Sequence, residues 1–379
     1  MLTLPLGRAV RQEWRLDPDF LTVNHGSFGA TPISVLDAQA DWRRRMEAQP
    51  TRFMALILPD ALAVAKARLG TFLGADPAGL AFVDNATSGC NAVLRSLRLR
   101  AGDEVLVLDH GYGAVRNTVR FVTERAGALM TEAAVPFPDV SDDAILTAIR
   151  GAIAPNTRIA VIDHITSASA LVLPVAAISA LCRDAGVKLL IDGAHAPGHI
   201  DLNLEQTGAD WYTGNCHKWL CAPKGCAFLW TSPARRDETH PNVISHGLGL
   251  GYDREFDWTG TRDFSAVLTV GDCIDFHEQL GGALLRRRNV ALAAEAAAEL
   301  GRRLNGDTVE SRAAMRLVRL PPSAGPDALS FRARLLRAGT DAPVHRIGGH
   351  LWLRLSAFAY NELDDYARLA EIVMKELSV

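Results

Sequence analysis

An acid at the end of an apolar strand and a lysine beside a tryptophan are costly places to keep charge. Asp192 closes the run Val187-Lys188-Leu189-Leu190-Ile191 and opens Gly193-Ala194-His195-Ala196-Pro197-Gly198. Lys218 follows in Thr213-Gly214-Asn215-Cys216-His217-Lys218-Trp219-Leu220. A buried carboxylate needs a cation to meet it. A desolvated lysine loses its proton more readily and becomes a nucleophile for carbonyl carbons. An acid for a protonated pyridine nitrogen and an amine for an aldehyde are together what pyridoxal phosphate asks of a protein.

Other polar positions follow β-rich runs, where open α/β sheets collect their ligands. Ala86, Thr87 and Ser88 open a helix after the run 80–83, and free N–H groups there suit a phosphate; an ordinary helix cap is the alternative. His110 and Tyr112 follow 104–108, where a ring either stacks on a flat ligand or simply packs. The segment 163–169 is rich in hydroxyls, and Ser167 there either bonds a ligand or caps its own turn. Cys216, Cys221 and Cys226 recur at five-residue intervals, wider than the paired cysteines of zinc sites, so they read as buried small hydrophobes and no metal is expected.

These residues need a scaffold, and the sequence alternates short β-rich runs with helical periodicity. The runs are 80–83, 104–108, 129–135, 158–162, 187–191 and 225–230; helical spacing fills 88–99, 112–126, 141–153 and 175–185. Runs such as Val105-Leu106-Val107-Leu108 are apolar on consecutive residues, as when helices cover both faces of a mostly parallel sheet. Beyond about residue 280 a long helix (282–304), short β-like runs and a final amphipathic helix (362–377) predict a smaller α+β unit. The expected division is an N-terminal arm (1–20), a large cofactor-binding domain (21–280) and a small C-terminal domain (281–379). With 379 residues, 48% of them hydrophobic, and a net charge of −3, the chain can bury a large core and lacks the basic excess of a nucleic-acid binder. No apolar stretch suits a membrane span or a secretory leader, and the few cysteines fit a reducing, cytoplasmic compartment.

The segments NHGSFGATP (24–32), NATSG (85–89), DHGYGAV (109–115), DHITSASALVLPV (163–175), DGAHAPG (192–198), TGNCHKWLCAPKG (213–225), WTGTRD (258–263) and LWLRLSAFAYN (351–361) resemble the class V aminotransferase family of pyridoxal-phosphate enzymes, in its isopenicillin N epimerase-like branch. The likeness implies the aspartate aminotransferase-like fold, fold type I. It implies that Lys218 holds the cofactor as a Schiff base, Asp192 meets the ring nitrogen, His195 stands near the ring hydroxyl or the Schiff base, and Ala194 touches one ring face. Either Tyr112 or His110 would stack on the other. Phosphate would be held by Ala86, Thr87, Ser88, Asn215 and His217, with Thr261 reaching the other subunit's phosphate in a homodimer with shared active sites. Arg354 would clamp the α-carboxylate of an amino-acid-type substrate. The loop carrying His25 and Ser27, and Arg52 beyond it, are expected on the substrate side, and Ser167 on the cofactor.

The expected reaction breaks a Cα–H bond of an amino acid or its derivative, in an epimerase-like enzyme. A C–S or β-lyase acting on a thioether, an aminotransferase, and a catalytically silent cofactor-binding dimer are the alternatives. The stretch 341–350 upstream of Arg354 holds no cysteine, which disfavours persulfide-forming desulfuration.

Overall fold

The computed structural model describes residues 4–378. Its main sheet is built from β1 (Leu80–Val83), β2 (Glu104–Leu108), β3 (Leu129–Ala133), β4 (Thr157–Asp163), β5 (Lys188–Asp192), β6 (Trp211–Asn215) and β7 (Ala227–Thr231), in the order β1-β7-β6-β5-β4-β2-β3. β7 alone runs against its neighbours. The consecutive apolar residues of the central strands divide by the two-residue period of a strand. Leu106, Leu108, Ala160, Ile162, Leu189 and Ile191 face one core, with the helices Leu58–Leu73, Asp142–Ala152 and Val175–Asp184. Val105, Val107, Ile159, Val161 and Leu190 face the other, against α1 (Ala86–Ser96) and α2 (Gly113–Ala126).

Every expected run and helix is present, with ends shifted by a residue or a few. The expectation missed β6, whose five residues end in Gly214 and Asn215, two residues that strands disfavour. The connection from β6 to β7 is too short for a crossover helix, so β7 returns antiparallel. Lys218 sits inside that connection, anchored on both sides by strands.

A three-stranded sheet, ordered β8 (Met315–Arg319), β10 (His350–Ser356), β9 (Val344–Ile347), carries the second unit. Its core joins that sheet to α3 (Ala283–Leu304), α4 (Ala328–Arg337) and α5 (Leu363–Leu377), and takes in Leu21 and Val23 from the far end of the chain. β9 and β10 are joined by Gly348-Gly349, both at positive φ, as a two-residue hairpin turn requires. The N-terminal segment lies on its own chain: Trp14 packs edge-on against Phe276, Phe358 and Tyr360.

The site edge of the sheet is set by close approaches. Gly89 lets α1 lie directly on β6, because a Cβ there would stand 2.3 Å from Thr213 Oγ1. This contact carries the first turn of α1 to the end of β6, where Asn215 accepts from Ala86 N–H at 2.8 Å. Gly89→Val should therefore cost about 1–3 kcal/mol, the usual range for overpacking, read as a lower urea midpoint with an unchanged m-value.

Candidate active site

Asp163 and Asp192 end β4 and β5 as register partners, so two acids stand side by side at the carboxyl edge of the sheet. Both are buried, and neither makes an ion pair among the described residues. Burial raises the pKa of Asp163 well above the carboxylate range, and the neighbouring Asp192 charge raises it further. Burial also raises Asp192, opposed by the Ala194 N–H that donates to Oδ1 at 3.0 Å and by the charge of Lys218. Asp163 was not singled out from sequence; a polar residue ending an apolar strand, as Asp192 does, was the available signal.

Lys218 opens partly to the cleft. Burial, then Arg354, lower its pKa to about 8 against the pull of Asp192 and Asp163. Its Nζ is 3.2 Å from His195 Nε2, and Trp219 Nε1–H donates to His195 Nδ1 at 3.3 Å. His25 meets the Lys218 carbonyl through Nε2 at 3.0 Å and the Tyr360 hydroxyl through Nδ1 at 2.9 Å, while its ring stacks on Phe358 at 3.6 Å. With both ring nitrogens engaged and the residue 2% exposed, His25 supports the lysine backbone; the expectation of a substrate contact is corrected on that ground.

Arg354 is a buried guanidinium without a carboxylate partner. Nη1 donates to Ser167 O at 2.5 Å and Oγ at 3.3 Å, and Nη2 to Asn24 Oδ1 at 3.1 Å and Ser27 Oγ at 2.9 Å. Its Nε is buried with no partner. Burial first, then Arg332, lowers its pKa to about 10. Ser167, expected on the cofactor, and Ser27, expected on the substrate, thus both orient this arginine. Asn24, not named from sequence, links it to Asp341, which Arg332 grips with two bonds.

On the opposite side of the sheet edge, Ser88 N–H is capped by Asn85, and Thr87 N–H has no partner among the described residues. With Thr87 and Ser88 half-buried, this turn keeps donors for an anion. Asn215 Nδ2 makes no bond among the described residues. His217 Nδ1 is bonded to the Cys226 carbonyl at 3.2 Å, so its Nε2 must take up a proton before it can donate to a phosphate. Burial, and next the charge of Lys218, lower that pKa to about 4, and a bound anion would raise it. His110 Nδ1 bonds Ser169 Oγ at 2.8 Å, and its ring lies edge-on to Phe137. Tyr112 is 44% exposed. Thr261 and Arg52 are exposed; next to Thr261, Arg262 pairs with Asp84 at 2.6 Å, while Arg52 has no bond to the rest of the set among the described residues.

These groups are complementary to the parts of one ligand. Two uncompensated acids can meet a cationic ring nitrogen, a neutral amine can meet an aldehyde, the α1 turn can meet a phosphate, and an orphaned guanidinium N–H can meet a carboxylate. The residues fit pyridoxal phosphate with an amino-acid ligand.

Residues 29–316 match the family described as Aminotransferase class-V. The chain belongs to that family. It is a pyridoxal 5'-phosphate-dependent enzyme of fold type I. It is 35% identical to a putative L-cysteine desulfhydrase 1 of Oryza sativa subsp. japonica, covering 93% of this chain and 82% of the relative. It is also 35% identical to an isopenicillin N epimerase of Amycolatopsis lactamdurans, covering 97% and 98%. A solved cystine C–S lyase, in complex with cysteine persulfide, superposes with a TM-score of 0.82 at 20% identity over 94% of this chain and 97% of its own. Among the described residues no helix is long and apolar enough to cross a membrane, and no cluster of three or more metal-ligating side chains is formed.

The amine is half neutral at about pH 8 instead of the usual lysine value near 10.5. The rate at which cofactor-free enzyme takes up pyridoxal phosphate, followed by absorbance, should therefore rise with pH and level off above pH 8, since only the unprotonated amine attacks. Lys218→Ala should abolish the lysine-linked absorbance band.

Proposed function

We propose that this enzyme removes the Cα proton of an L-amino acid or amino-acid derivative, with Lys218 as the base and Arg354 as the carboxylate clamp. The observation that carries this reading is the pairing of an amine lowered to about pH 8 with a buried guanidinium that lacks an acid partner. When bound, pyridoxal phosphate supplies an electron sink that weakens a bond at Cα. The chain's own residues do the rest. Arg354, fixed by Ser167, Asn24 and Ser27, orients the α-carboxylate and so selects which Cα bond is presented. Asp192 holds a proton-bearing ring nitrogen in place, and Ala86, Thr87, Ser88, Asn215 and His217 hold the phosphate end. Lys218, uncharged at mildly basic pH, takes the proton and can return it.

The fate of the substrate after proton removal depends on its β-carbon and on a donor at the face opposite Lys218. Epimerisation needs that donor; His110, with one ring nitrogen uncommitted, and Tyr112 are the candidates. β-Elimination with loss of a thiol is the second reading. Of the fates open to a sulfur at Cβ, it is chosen over persulfide formation because all six cysteines are buried and none can accept the departing sulfur.

We take the functional unit to be a homodimer. Val243, Ile244, Leu248 and Leu250 are each more than half exposed on a loop tied to α1 by the Asn242 bond to Ser88 O, a patch suited to a second copy.

Incubation with candidate amino acids and thioethers in deuterated water, read by mass spectrometry, tests the proposal. Deuterium at Cα with inverted configuration is expected of an epimerase; pyruvate, ammonia and thiol are expected of the lyase. A loaded enzyme that exchanges no Cα proton of any α-amino acid would sink both readings. Arg354→Ala should raise KM for the same substrate by about 10- to 100-fold with a smaller change in kcat, as expected for loss of a charge-assisted contact.

A further inference from the structure

Trp219 makes a contact that proton removal at Cα does not use, and it lies one residue from the amine. An indole N–H can only donate. It donates to His195 Nδ1 at 3.3 Å, so that nitrogen must offer a lone pair. This excludes both the doubly protonated ring and the Nδ1–H tautomer. The one remaining neutral form carries its hydrogen on Nε2. That hydrogen faces Lys218 Nζ at 3.2 Å, and it is satisfied only if the amine also offers a lone pair.

An ammonium at Lys218 would instead point its own hydrogen at Nε2–H. To accept it, His195 would have to leave both ring nitrogens bare, an anionic imidazolate. We propose that Trp219 is a positioning residue whose indole N–H locks His195 in the Nε2–H form and thereby holds Lys218 as the free, nucleophilic amine. This rests on Lys218 being the lysine that carries the cofactor.

The lock is itself braced. His199 Nδ1 bonds the His195 carbonyl at 3.0 Å, its Nε2 accepts from Ala314 N–H at 2.7 Å, and its ring stacks on Trp219 at 3.9 Å. The indole thus stacks on a ring whose own orientation is fixed by two hydrogen bonds. The charged groups acting on Lys218 are Asp192 and Asp163, which favour the ammonium, and Arg354, which opposes it; His217 is the adjacent titratable side chain. The Trp219–His195 pair adds a directional preference to that balance of fields, and it does so without a charge of its own.

Two measurements test the proposal. In the full-length chain freed of cofactor, nitrogen-15 spectra of the imidazoles, assigned by the signal lost in His195→Gln, should show His195 with its proton on Nε2 and a bare Nδ1. A proton on Nδ1 would overturn the lock. Trp219→Phe keeps an aromatic ring against His199 and removes the N–H. Its uptake of pyridoxal phosphate should slow by about tenfold at neutral pH, the size of one hydrogen bond's preference, with the pH midpoint displaced upward and the wild-type rate regained in strong base. An unchanged midpoint, or a loss of equal size at every pH, would mean that the indole only fills space. Failure of Lys218 as the cofactor lysine has a different signature: Lys218→Ala would retain the absorbance band whatever the tautomer of His195.

Discussion

Charge removed from water must be met at contact distance or it destabilises the fold. At the carboxyl edge of the main sheet two buried acids, Asp163 and Asp192, the buried guanidinium of Arg354 and the half-buried amine of Lys218 share one neighbourhood, and none of the four forms an ion pair among the described residues. Their fields act on one another, yet each keeps an unfilled position. The remainder of the molecule supplies the stability that lets this arrangement persist: two apolar layers on the main sheet and a separate core in the smaller unit. A cofactor with a cationic ring nitrogen, a carbonyl and an anionic tail, together with a substrate carboxylate, completes all four sets of contacts.

The groups between these charges are polar but neutral. Burial lowers His25 and His199 to about 3, and drives His195 well below the usual histidine value, with Lys218 the next contribution. Each ring therefore has one hydrogen to give and one lone pair to offer. Who receives them is set partly by the smaller unit: Ala314 N–H precedes β8, and the Tyr360 hydroxyl follows β10. Arg354 lies on β10 and reaches Ser167 beyond β4. The contact between the two units and the protonation pattern around the lysine are thus one structural fact, so a displacement of the smaller unit would disturb the base and the clamp together.

Much of this was legible in the chain because the two strongest signals are local. Period-two division of apolar runs and helical spacing located the strands and most helices, and the anomaly of Asp192 and Lys218 pointed to the site. β6 escaped because its strand formers Trp-Tyr-Thr run straight into Gly214 and Asn215, which strands disfavour, so the run is short and is held by its neighbours on both sides. The role of His25 escaped for a different reason. Its partners, Lys218 O and Tyr360, are distant in sequence, and a histidine that braces a backbone carbonyl looks the same in a sequence as one that meets a ligand. Ser167 and Asn24 illustrate the same limit: hydroxyl and amide groups on loops declare that they bond something, and only the fold declares that the partner is Arg354.

Relatives of similar identity carry the names of an epimerase and of a cysteine desulfhydrase, and the geometry explains how one scaffold serves both. Proton removal needs the amine, the clamp and the acid that steadies the ring nitrogen, all of which lie on the sheet edge and β10. On the reading proposed above, the branch between returning the proton on the other face and expelling a β-substituent would be decided elsewhere, in the loop after β2. His110 is tied to Ser169, which is tied to Thr166 at 2.7 Å, so its ring is oriented by a buried turn. Epimerisation would need a donor at the face opposite Lys218, whereas elimination requires only a leaving group at Cβ. On that reading the chemical outcome would turn on what the substrate carries at Cβ and on whether His110 or Tyr112 can give a proton, with Lys218 serving both reactions.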